Sequence, residues 1–193
     1  MERQYDPLPI RELGTEAGFR RPTQPQAAKV SLDSPALEVM TDLKRTTPAT
    51  IRPQAPLGAA NQFMITRGVR LLLVVDDGER VLGVITATDI LGERPMRAAT
   101  ERGLRRDELT VADIMAPADQ VEVIALQDVA NARVGHVLET LRRAGRQHAL
   151  VLDAERMVRG IFSLSQIARQ LGVSVATSGE VARTFSEIEA AIR

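Results

Sequence analysis

The spacing of apolar residues predicts a helix and a strand hairpin in the first half of the chain. Apolar side chains recur one helical turn apart at Leu57, Ala60 and Met64. Gly68 is the predicted end of this helix, because glycine readily adopts the left-handed conformation at a helix C-terminus. The segment 71–76, aliphatic through Val75, is typical of a buried strand, and the turn sequence DDG at 76–78 connects it to a returning strand at 81–86. A short helix is predicted at 86–92.

The second half of the chain has the same order of elements. A helix is predicted from the apolar positions Val134, Val137, Leu138 and Leu141. Gly145 ends it, strands are predicted at 149–153 and 157–162, and a closing helix is predicted at about 165–171. Each half also opens with a short amphipathic lead-in that ends near a methionine and precedes a brief strand. The lead-ins are LEVMTD at 37–42 and VADIMAP at 111–117, and the brief strands are predicted near 50–52 and 121–124.

This order reflects an internal repeat. Residues 67–90 align with residues 144–167 without a gap, at an offset of 77. The identical pairs are Gly68/Gly145, Leu73/Leu150, Val74/Val151, Asp76/Asp153, Val81/Val158, Gly83/Gly160 and Ile90/Ile167. Because glycines and aspartates keep register with the apolar positions, we conclude that a β-α-β-β-α unit is duplicated. Two copies of such a unit are expected to bury a shared face.

The segments outside the repeat predict an arm, a connection and a terminal helix. Five prolines in the first 35 residues favour an extended arm over a domain. After the second copy, Ser178 can cap a helix whose apolar stripe is formed by Val181, Phe185, Ile188 and Ile192. The predicted organisation is an N-terminal arm at 1–35, a first repeat at 36–95, a connecting helix and turn at 96–108, a second repeat at 109–172 and a C-terminal amphipathic helix at 173–193.

Composition and charge exclude several classes of function. Lys+Arg and Asp+Glu number 25 each, so no overall field favours nucleic acid or an anionic membrane. The arginines at 94–106 alternate with acidic residues, which indicates a solvated helical face. The absence of cysteine excludes disulfides and thiolate zinc sites. With no long apolar run and no secretory signal, we expect a cytoplasmic protein.

Catalytic and metal-binding motifs are absent from the sequence. The two histidines, His136 and His148, lie in no recognisable catalytic triad, and there is no cluster with metal-ligand spacing and no phosphate-binding loop. The chain is therefore not expected to be an enzyme, and neither catalytic residues nor a metal site are predicted.

Each repeat closes with a related motif, GVITATD at 83–89 and GIFSLSQ at 160–166. The pair Thr86 and Asp89 has nearly the spacing of a capping box, and Ser163 and Gln166 have that spacing as well. Both motifs are thus explained as helix caps. A ligand-binding role for the first motif remains open beside this explanation, because one residue can cap a helix while another faces a cleft.

The ordered, duplicated pattern resembles the CBS-domain family, named after cystathionine β-synthase. The resemblance covers residues 36–172 through EVMT, TIRPQAPLGAA and RGVRLLLVVDDGERVLGVITATDIL in the first copy, and VADIM, RRAGRQHALVLD and VRGIFSLSQIARQLG in the second. It implies an α+β fold in which two CBS repeats pack sheet to sheet with pseudo-twofold symmetry. It also implies a regulatory module that binds AMP, ADP, ATP or S-adenosylmethionine between the repeats, a disc-like homodimer, and a regulated partner of unknown identity.

The resemblance points to one principal ligand site. A carboxylate at Asp89 can accept two hydrogen bonds from a ribose diol, the threonine hydroxyls can contact ribose or phosphate, and Arg70 can pair with phosphate. Thr50 and Ile51 correspond to positions that hold adenine in the family, and Gly83 permits close approach of the ligand. The expected ligand-binding residues are Thr50, Ile51, Arg70, Gly83, Thr86, Thr88 and Asp89.

The second copy departs from the pattern, because Gln166 replaces the acid. An amide hydrogen-bonds a diol more weakly than a carboxylate does, so this site is expected to be empty, weakened or differently selective. Its residues are His148, Gly160, Ser163, Ser165 and Gln166. Two functions remain: a sensor of adenosine-containing ligands that requires no cofactor, or a structural and protein-interaction module whose motifs are only caps.

Overall fold

The computed structural model describes residues 30–173, 185–188 and 190, and it forms two four-stranded sheets with helices packed against them. The strands are β1 (Thr41–Asp42), β2 (Thr50–Ile51), β3 (Leu71–Val75), β4 (Val81–Thr86), β5 (Ala116–Pro117), β6 (Val123–Ala125), β7 (His148–Leu152) and β8 (Val158–Ser163). The helices are α1 (Leu57–Arg67), α2 (Ala87–Leu91), α3 (Arg94–Arg102), α4 (Val111–Ile114), α5 (Leu126–Ala130), α6 (Val134–Ala144) and α7 (Leu164–Gln170). The predicted α+β class is confirmed.

The two long helices of the repeats end where the sequence predicts. α1 stops at Gly68 and α6 at Gly145, with φ values of 65° and 61°. This left-handed conformation lets the backbone turn back without a Cβ clash and satisfies the last helical carbonyls. The predicted apolar stripes of both helices are buried, so each helix packs its stripe against its own sheet.

The hairpins β3–β4 and β7–β8 are built around equivalent aspartates. In each turn the Asp carboxylate accepts hydrogen bonds from the backbone N–H groups two and four residues later, at Asp76 and at Asp153. The residue in the left-handed conformation is Glu79 in one turn and Arg156 in the other, each with φ of 61°, and not the glycine of DDG. The two aspartates therefore keep the repeat in register because they hold the turns together.

The lead-ins exchange sheets. β1 pairs antiparallel with β8, and β5 pairs antiparallel with β4, which gives the strand orders β1-β8-β7-β6 and β2-β3-β4-β5. Each repeat thus contributes an edge strand to the sheet of the other repeat. A Cβ at Gly83 would overlap the backbone oxygen of Ala116, and a Cβ at Gly160 would overlap the Met40 side chain. Both motif glycines thus lie against an exchanged lead-in, Gly83 against its backbone and Gly160 against a side chain.

Three apolar clusters hold the fold together. One lies in the first repeat and includes Leu109, Val111 and Ile114 from the second lead-in. Another lies in the second repeat and includes Ala36, Val39 and Met40 from the first lead-in. The third lies between the two sheets and consists of Leu71, Leu73, Val75, Val84 and Leu150. Because this third cluster combines residues of both sheets, the predicted sheet-to-sheet packing is confirmed.

Segments at both ends of the described chain pack on the second repeat. Val30 and Leu32 contact its apolar cluster, and Phe185 and Ile188 are buried in it. Residues 185–188 are helical, as predicted for the C-terminal helix. The remaining predictions for the ends, the arm at 1–29, the cap Ser178 and the stripe residues Val181 and Ile192, lie outside the described residues. No helix in the described part of the chain is long and apolar enough to cross a membrane.

Candidate functional site

Two clefts lie between the repeats, and each combines the closing motif of one repeat with the strand entry of the other. The first cleft, of about 370 Å³, brings Thr86, Thr88 and Asp89 together with residues 145–148. The second, of about 180 Å³, brings Ser163, Ser165 and Gln166 together with residues 68–71. Since 68–71 and 145–148 are equivalent at the offset of 77, the clefts are pseudo-symmetric copies with different side chains.

Asp89 caps helix α2 and also reaches the first cleft. Its Oδ2 atom accepts hydrogen bonds from the Thr86 backbone N at 2.9 Å and from Thr86 Oγ1 at 2.6 Å. Thr86 Oγ1 in turn accepts from the Asp89 N–H at 3.3 Å, which completes the capping box. The predicted cap is confirmed. The Asp89 side chain remains 18% exposed and lines the cleft.

Arg94 is the main residue of this cleft that sequence reasoning missed. Its guanidinium donates to Asp89 Oδ1 at 2.7 Å, and it lines the first cleft. The sequence interpretation assigned it to a solvated helical face. Its spacing is the signal that could have identified it, because only Gly92 and Glu93 separate α2 from Arg94 at the start of α3.

The first cleft carries charges of both signs. Besides the Asp89–Arg94 pair, a guanidinium nitrogen of Arg146 lies 3.3 Å from a carboxylate oxygen of Glu122. Arg146 and Glu122 also line the cleft. Among the residues that the structure describes, no group of three His, Asp or Glu side chains could hold a metal ion. The charges present are suited to a ligand that offers both hydrogen-bond donors and an anionic group.

The predicted capping box of the second motif is wrong. Ser163 makes no side-chain cap hydrogen bond to α7; its Oγ lies 3.1 Å from Ser165 Oγ. Gln166 Oε1 instead accepts a hydrogen bond from Thr41 Oγ1 at 3.0 Å. Thr41 lies on β1, the exchanged lead-in strand, so a partner 125 residues away in sequence takes the place of the local cap.

A second capping box does form, but at the start of α4. The Thr110 backbone N donates to Asp113 Oδ2 at 2.7 Å, and Thr110 Oγ1 donates to the same atom at 2.8 Å. Arg102 forms an ion pair with Asp113. The sequence TVAD at 110–113 has the required spacing and could have identified this box. Neither Thr110 nor Asp113 lines the two clefts.

The remaining predicted site residues are distributed over both repeats. Arg70 lines the second cleft and not the cleft of Asp89. Thr50 and Ile51 form β2 beside β3 and line neither cleft, although the adjacent Ala49 lines the second. Gly83 and Gly160 face the exchanged lead-ins. The first cleft therefore combines Thr86, Thr88 and Asp89 of the predicted principal site.

His148 lies between the clefts and lines both of them, as its equivalent Leu71 does. Burial, together with the positive charge of Arg70, lowers the pKa of His148 from 6.5 to about 4, while the negative charge of Asp89 acts in the opposite direction. The imidazole is therefore neutral at pH 7. A neutral imidazole can still donate one hydrogen bond and accept another.

Comparison with known proteins gives a family match and a set of similar folds. Residues 29–95 match the family model of the CBS domain. A conserved protein from Pyrococcus horikoshii is similar over 77% of this chain and 100% of its own, at 23% identity and a TM-score of 0.56. CBSX2 in complex with AMP is similar over 70% and 94%, at 18% identity and a TM-score of 0.51; the CBSX2 protein is from Arabidopsis thaliana.

A CBS-domain-containing protein from Agrobacterium tumefaciens also has this fold, with 18% identity, coverage of 68% and 93%, and a TM-score of 0.52. No curated protein sequence matches this chain. Residues 29–95 thus match the CBS domain by sequence, and the two repeats together have the fold of CBS-domain pairs.

Proposed function

We infer that this CBS-domain protein is a non-catalytic regulatory module that binds an adenosine-containing ligand in its first cleft and transmits occupancy to a partner protein. AMP, ADP, ATP and S-adenosylmethionine are the candidate ligands, and a cytoplasmic setting suits the role. The observation that carries the proposal is the Asp89 carboxylate in a cleft of about 370 Å³ that both repeats line. This volume falls within the ~300–1,000 Å³ typical of small-molecule sites. The complex of CBSX2 with AMP supports the choice of ligand.

The groups around the first cleft match the parts of such a ligand. The Asp89 carboxylate can accept hydrogen bonds from the two ribose hydroxyls. Arg94, which now pairs with Asp89 and is 53% exposed, can turn to a phosphate or carboxylate group when the ribose takes its place. Leu71 and Val84 provide an apolar wall for the adenine ring.

Binding between the repeats gives a physical route to regulation. A ligand in the first cleft contacts the closing motif of one repeat and residues 145–148 of the other. If the two repeats can adopt more than one relative arrangement, the ligand stabilises the arrangement that it binds more tightly. The shift in population between two arrangements is limited by the difference between the ligand's affinities for them. A partner that contacts both repeats can read this shift.

The proposal is tested by isothermal titration calorimetry of the full chain with AMP, ADP, ATP and S-adenosylmethionine. At least one of them is expected to bind, and Asp89→Ala is expected to remove most of the binding, whereas Gln166→Ala has a much smaller effect. Asp89→Asn, which keeps the size of the side chain, should weaken binding by about tenfold or more, because hydrogen bonds to a charged acceptor are the stronger ones.

The chain offers a matched control for these variants. Asp113 makes the same capping box and the same kind of arginine ion pair as Asp89, but it lies outside both clefts. Asp113→Asn should therefore leave the affinity unchanged while it changes stability by a similar amount. Equal losses of affinity in Asp89→Asn and Asp113→Asn would mean that fold stability, and not a ligand contact, underlies the effect.

A structural or protein-interaction module remains the second candidate, and one observation favours it. Both oxygens of Asp89 already have protein partners, Thr86 and Arg94, so a cap and an ion pair alone account for this residue. This function predicts no heat of binding and no thermal shift with any of the four ligands at millimolar concentration. That result would contradict the ligand-binding proposal.

A further inference from the structure

The second cleft is lined by hydrogen-bond donors and by no acidic side chain. Among the described residues that surround it, none is Asp or Glu. Its polar side chains are Arg70, Arg169, His148, Gln166, Ser163, Ser165, Thr41, Thr46 and Thr47. The two arginines are permanent cations, and the hydroxyls and the amide can all donate hydrogen bonds. The first cleft, in contrast, includes Asp89 and Glu122.

Gln166 reverses the hydrogen-bonding character of the key position. Its equivalent, Asp89, only accepts hydrogen bonds when ionised, and its charge repels anions. In Gln166 the Oε1 atom already accepts from Thr41 Oγ1 at 3.0 Å. Among the described residues, none accepts a hydrogen bond from Gln166 Nε2, so this end of the amide can donate to a ligand.

The second cleft is smaller than the first. Its volume of about 180 Å³ is half that of the first cleft and lies below the ~300 Å³ at which sites for drug-sized molecules begin. A donor-lined site of this size is suited to a tetrahedral oxyanion, whose oxygens only accept hydrogen bonds at full ionisation.

A carboxylate that is adjacent in sequence to this cleft is compensated. Asp42, which follows Thr41 on β1, forms a two-contact ion pair with Arg159, and its second oxygen accepts from the Arg159 NH2 group at 3.0 Å. This arginine holds the pKa of Asp42 below its usual range and keeps the negative charge engaged. Arg70 and Arg169 thus place two positive charges on a cleft whose described lining includes no acid.

We propose that the second cleft is a binding site for a small phosphate-type oxyanion, either inorganic phosphate or the phosphate group of a small phosphate monoester. Arg70 and Arg169 supply the positive charge, and Ser163, Ser165 and Gln166 supply neutral donors. The replacement of the motif acid by Gln166 is then a change of ligand class and not a loss of function.

The test is titration calorimetry of the full chain with inorganic phosphate at pH 7, with chloride at matched ionic strength as the blank. Wild-type protein should bind phosphate with a millimolar or lower Kd. Gln166→Glu, which has nearly the same shape, places a negative charge on the wall and should weaken binding at least tenfold. Arg169→Ser changes an exposed residue, so it should leave the fold intact and weaken binding several-fold.

Asp113→Asn serves as the matched control, because it makes a charge change of equal size outside both clefts. It should leave the phosphate affinity within a factor of two. Titration with methyl phosphate separates the two sources: tighter binding than inorganic phosphate indicates a monoester ligand, and weaker binding indicates the free ion. Absence of phosphate binding, or equal affinity in wild type, Gln166→Glu and Arg169→Ser, would overturn the proposal.

This site and the proposed nucleotide site can fail separately. The phosphate site depends on Gln166 and Arg169, whereas the nucleotide site depends on Asp89. Phosphate binding without any response to the four adenosine-containing ligands would support the second cleft and contradict the function proposed for the first. Binding of an adenosine-containing ligand without any binding of phosphate would support the function proposed for the first cleft and contradict the phosphate site.

Discussion

The half-buried side chain of His148 makes the stability of the fold depend on pH. Burial and Arg70 disfavour its protonated form, so its pKa is about 4 in the folded protein, against an ordinary value of 6.5. The unfolded chain therefore takes up the proton first as pH falls. The contribution of His148 to stability is complete above about pH 6.5 and is lost between about pH 6.5 and 4. The full loss is at most about 3 kcal/mol.

His148→Leu tests this link, because leucine occupies the equivalent position 71 in the other repeat. Urea unfolding between pH 7 and pH 5 should show a steeper fall of the free energy of unfolding for wild type than for His148→Leu. The range stops at pH 5 so that carboxylates with a lowered pKa, such as Glu139 at about 2, do not contribute. Parallel pH profiles for the two proteins would contradict the assignment.

For the helix caps, the local sequence predicts which residues can pair but not which distant residues lie around them. The Thr86–Asp89 pair forms the predicted box because both residues lie in one turn. The Ser163–Gln166 pair does not, because Thr41 approaches from a distant part of the chain and binds Gln166. The tertiary fold determines that Asp89 lines a cleft and that Asp113 does not. Spacing alone cannot separate a ligand-binding acid from a structural one.

The packing of the exchanged lead-ins predicts how much two glycine substitutions destabilise the fold. Gly83 and Gly160 are equivalent glycines on β4 and β8, but they face different obstacles. An alanine at 83 meets the rigid backbone of β5, whereas an alanine at 160 meets the flexible end of the Met40 side chain. Gly83→Ala should therefore lower the free energy of unfolding by about 2–3 kcal/mol, and Gly160→Ala by about 1 kcal/mol. Urea titration of both variants gives the comparison directly.

Gly78→Ala is a suitable control for glycine replacement itself, because its Cβ would make only an ordinary contact of 3.5 Å with Asp76. It should change stability by less than about 1 kcal/mol. A smaller loss for Gly83→Ala than for Gly160→Ala would mean that the pairing of β5 with β4 contributes little to the fold.

The sequence predicts the regular helices and hairpins well, but it does not predict the exchange of the edge strands β1 and β5. Apolar periodicity locates α1, α6 and the two hairpins to within a few residues, because each of these elements buries several side chains in a regular pattern. β1 and β5 have two residues each, too few for any periodic signal. Their pairing partners are also distant in sequence, so only the three-dimensional fold reveals that the repeats exchange edge strands.

For the whole molecule, the repeat predicts two clefts but not their composition. The offset of 77 makes residues 68–71 equivalent to 145–148, yet it does not say which of these segments faces which closing motif. The sequence therefore groups Arg70 with Asp89, whereas the packing of the two sheets places Arg70 in the cleft of Gln166. The sequence shows the difference between the two closing motifs. It does not show that each motif shares a cleft with a segment of the other repeat.

The two repeats also differ in how their helical faces are covered. The second repeat is covered by chain segments outside the duplicated unit, through Val30, Leu32, Phe185 and Ile188. On the first repeat, large apolar side chains on three neighbouring helices remain exposed: Ile65 on α1 by 64%, Leu91 on α2 by 65% and Met96 on α3 by 61%. Exposed apolar side chains on adjacent helices are typical of an association surface. The homodimer expected from the family resemblance can use this face.

We therefore predict a homodimer that forms through the helices of the first repeat. A double substitution, Ile65→Lys with Leu91→Lys, places two like charges from each protomer in the contact and should convert the dimer to a monomer in light scattering after size-exclusion chromatography. Met157→Lys is the matched control, because Met157 is as exposed, at 61%, but follows the turn of the second hairpin. It should leave the dimer intact. A monomeric wild-type protein, or a dimer broken by Met157→Lys and not by the double substitution, would contradict this arrangement.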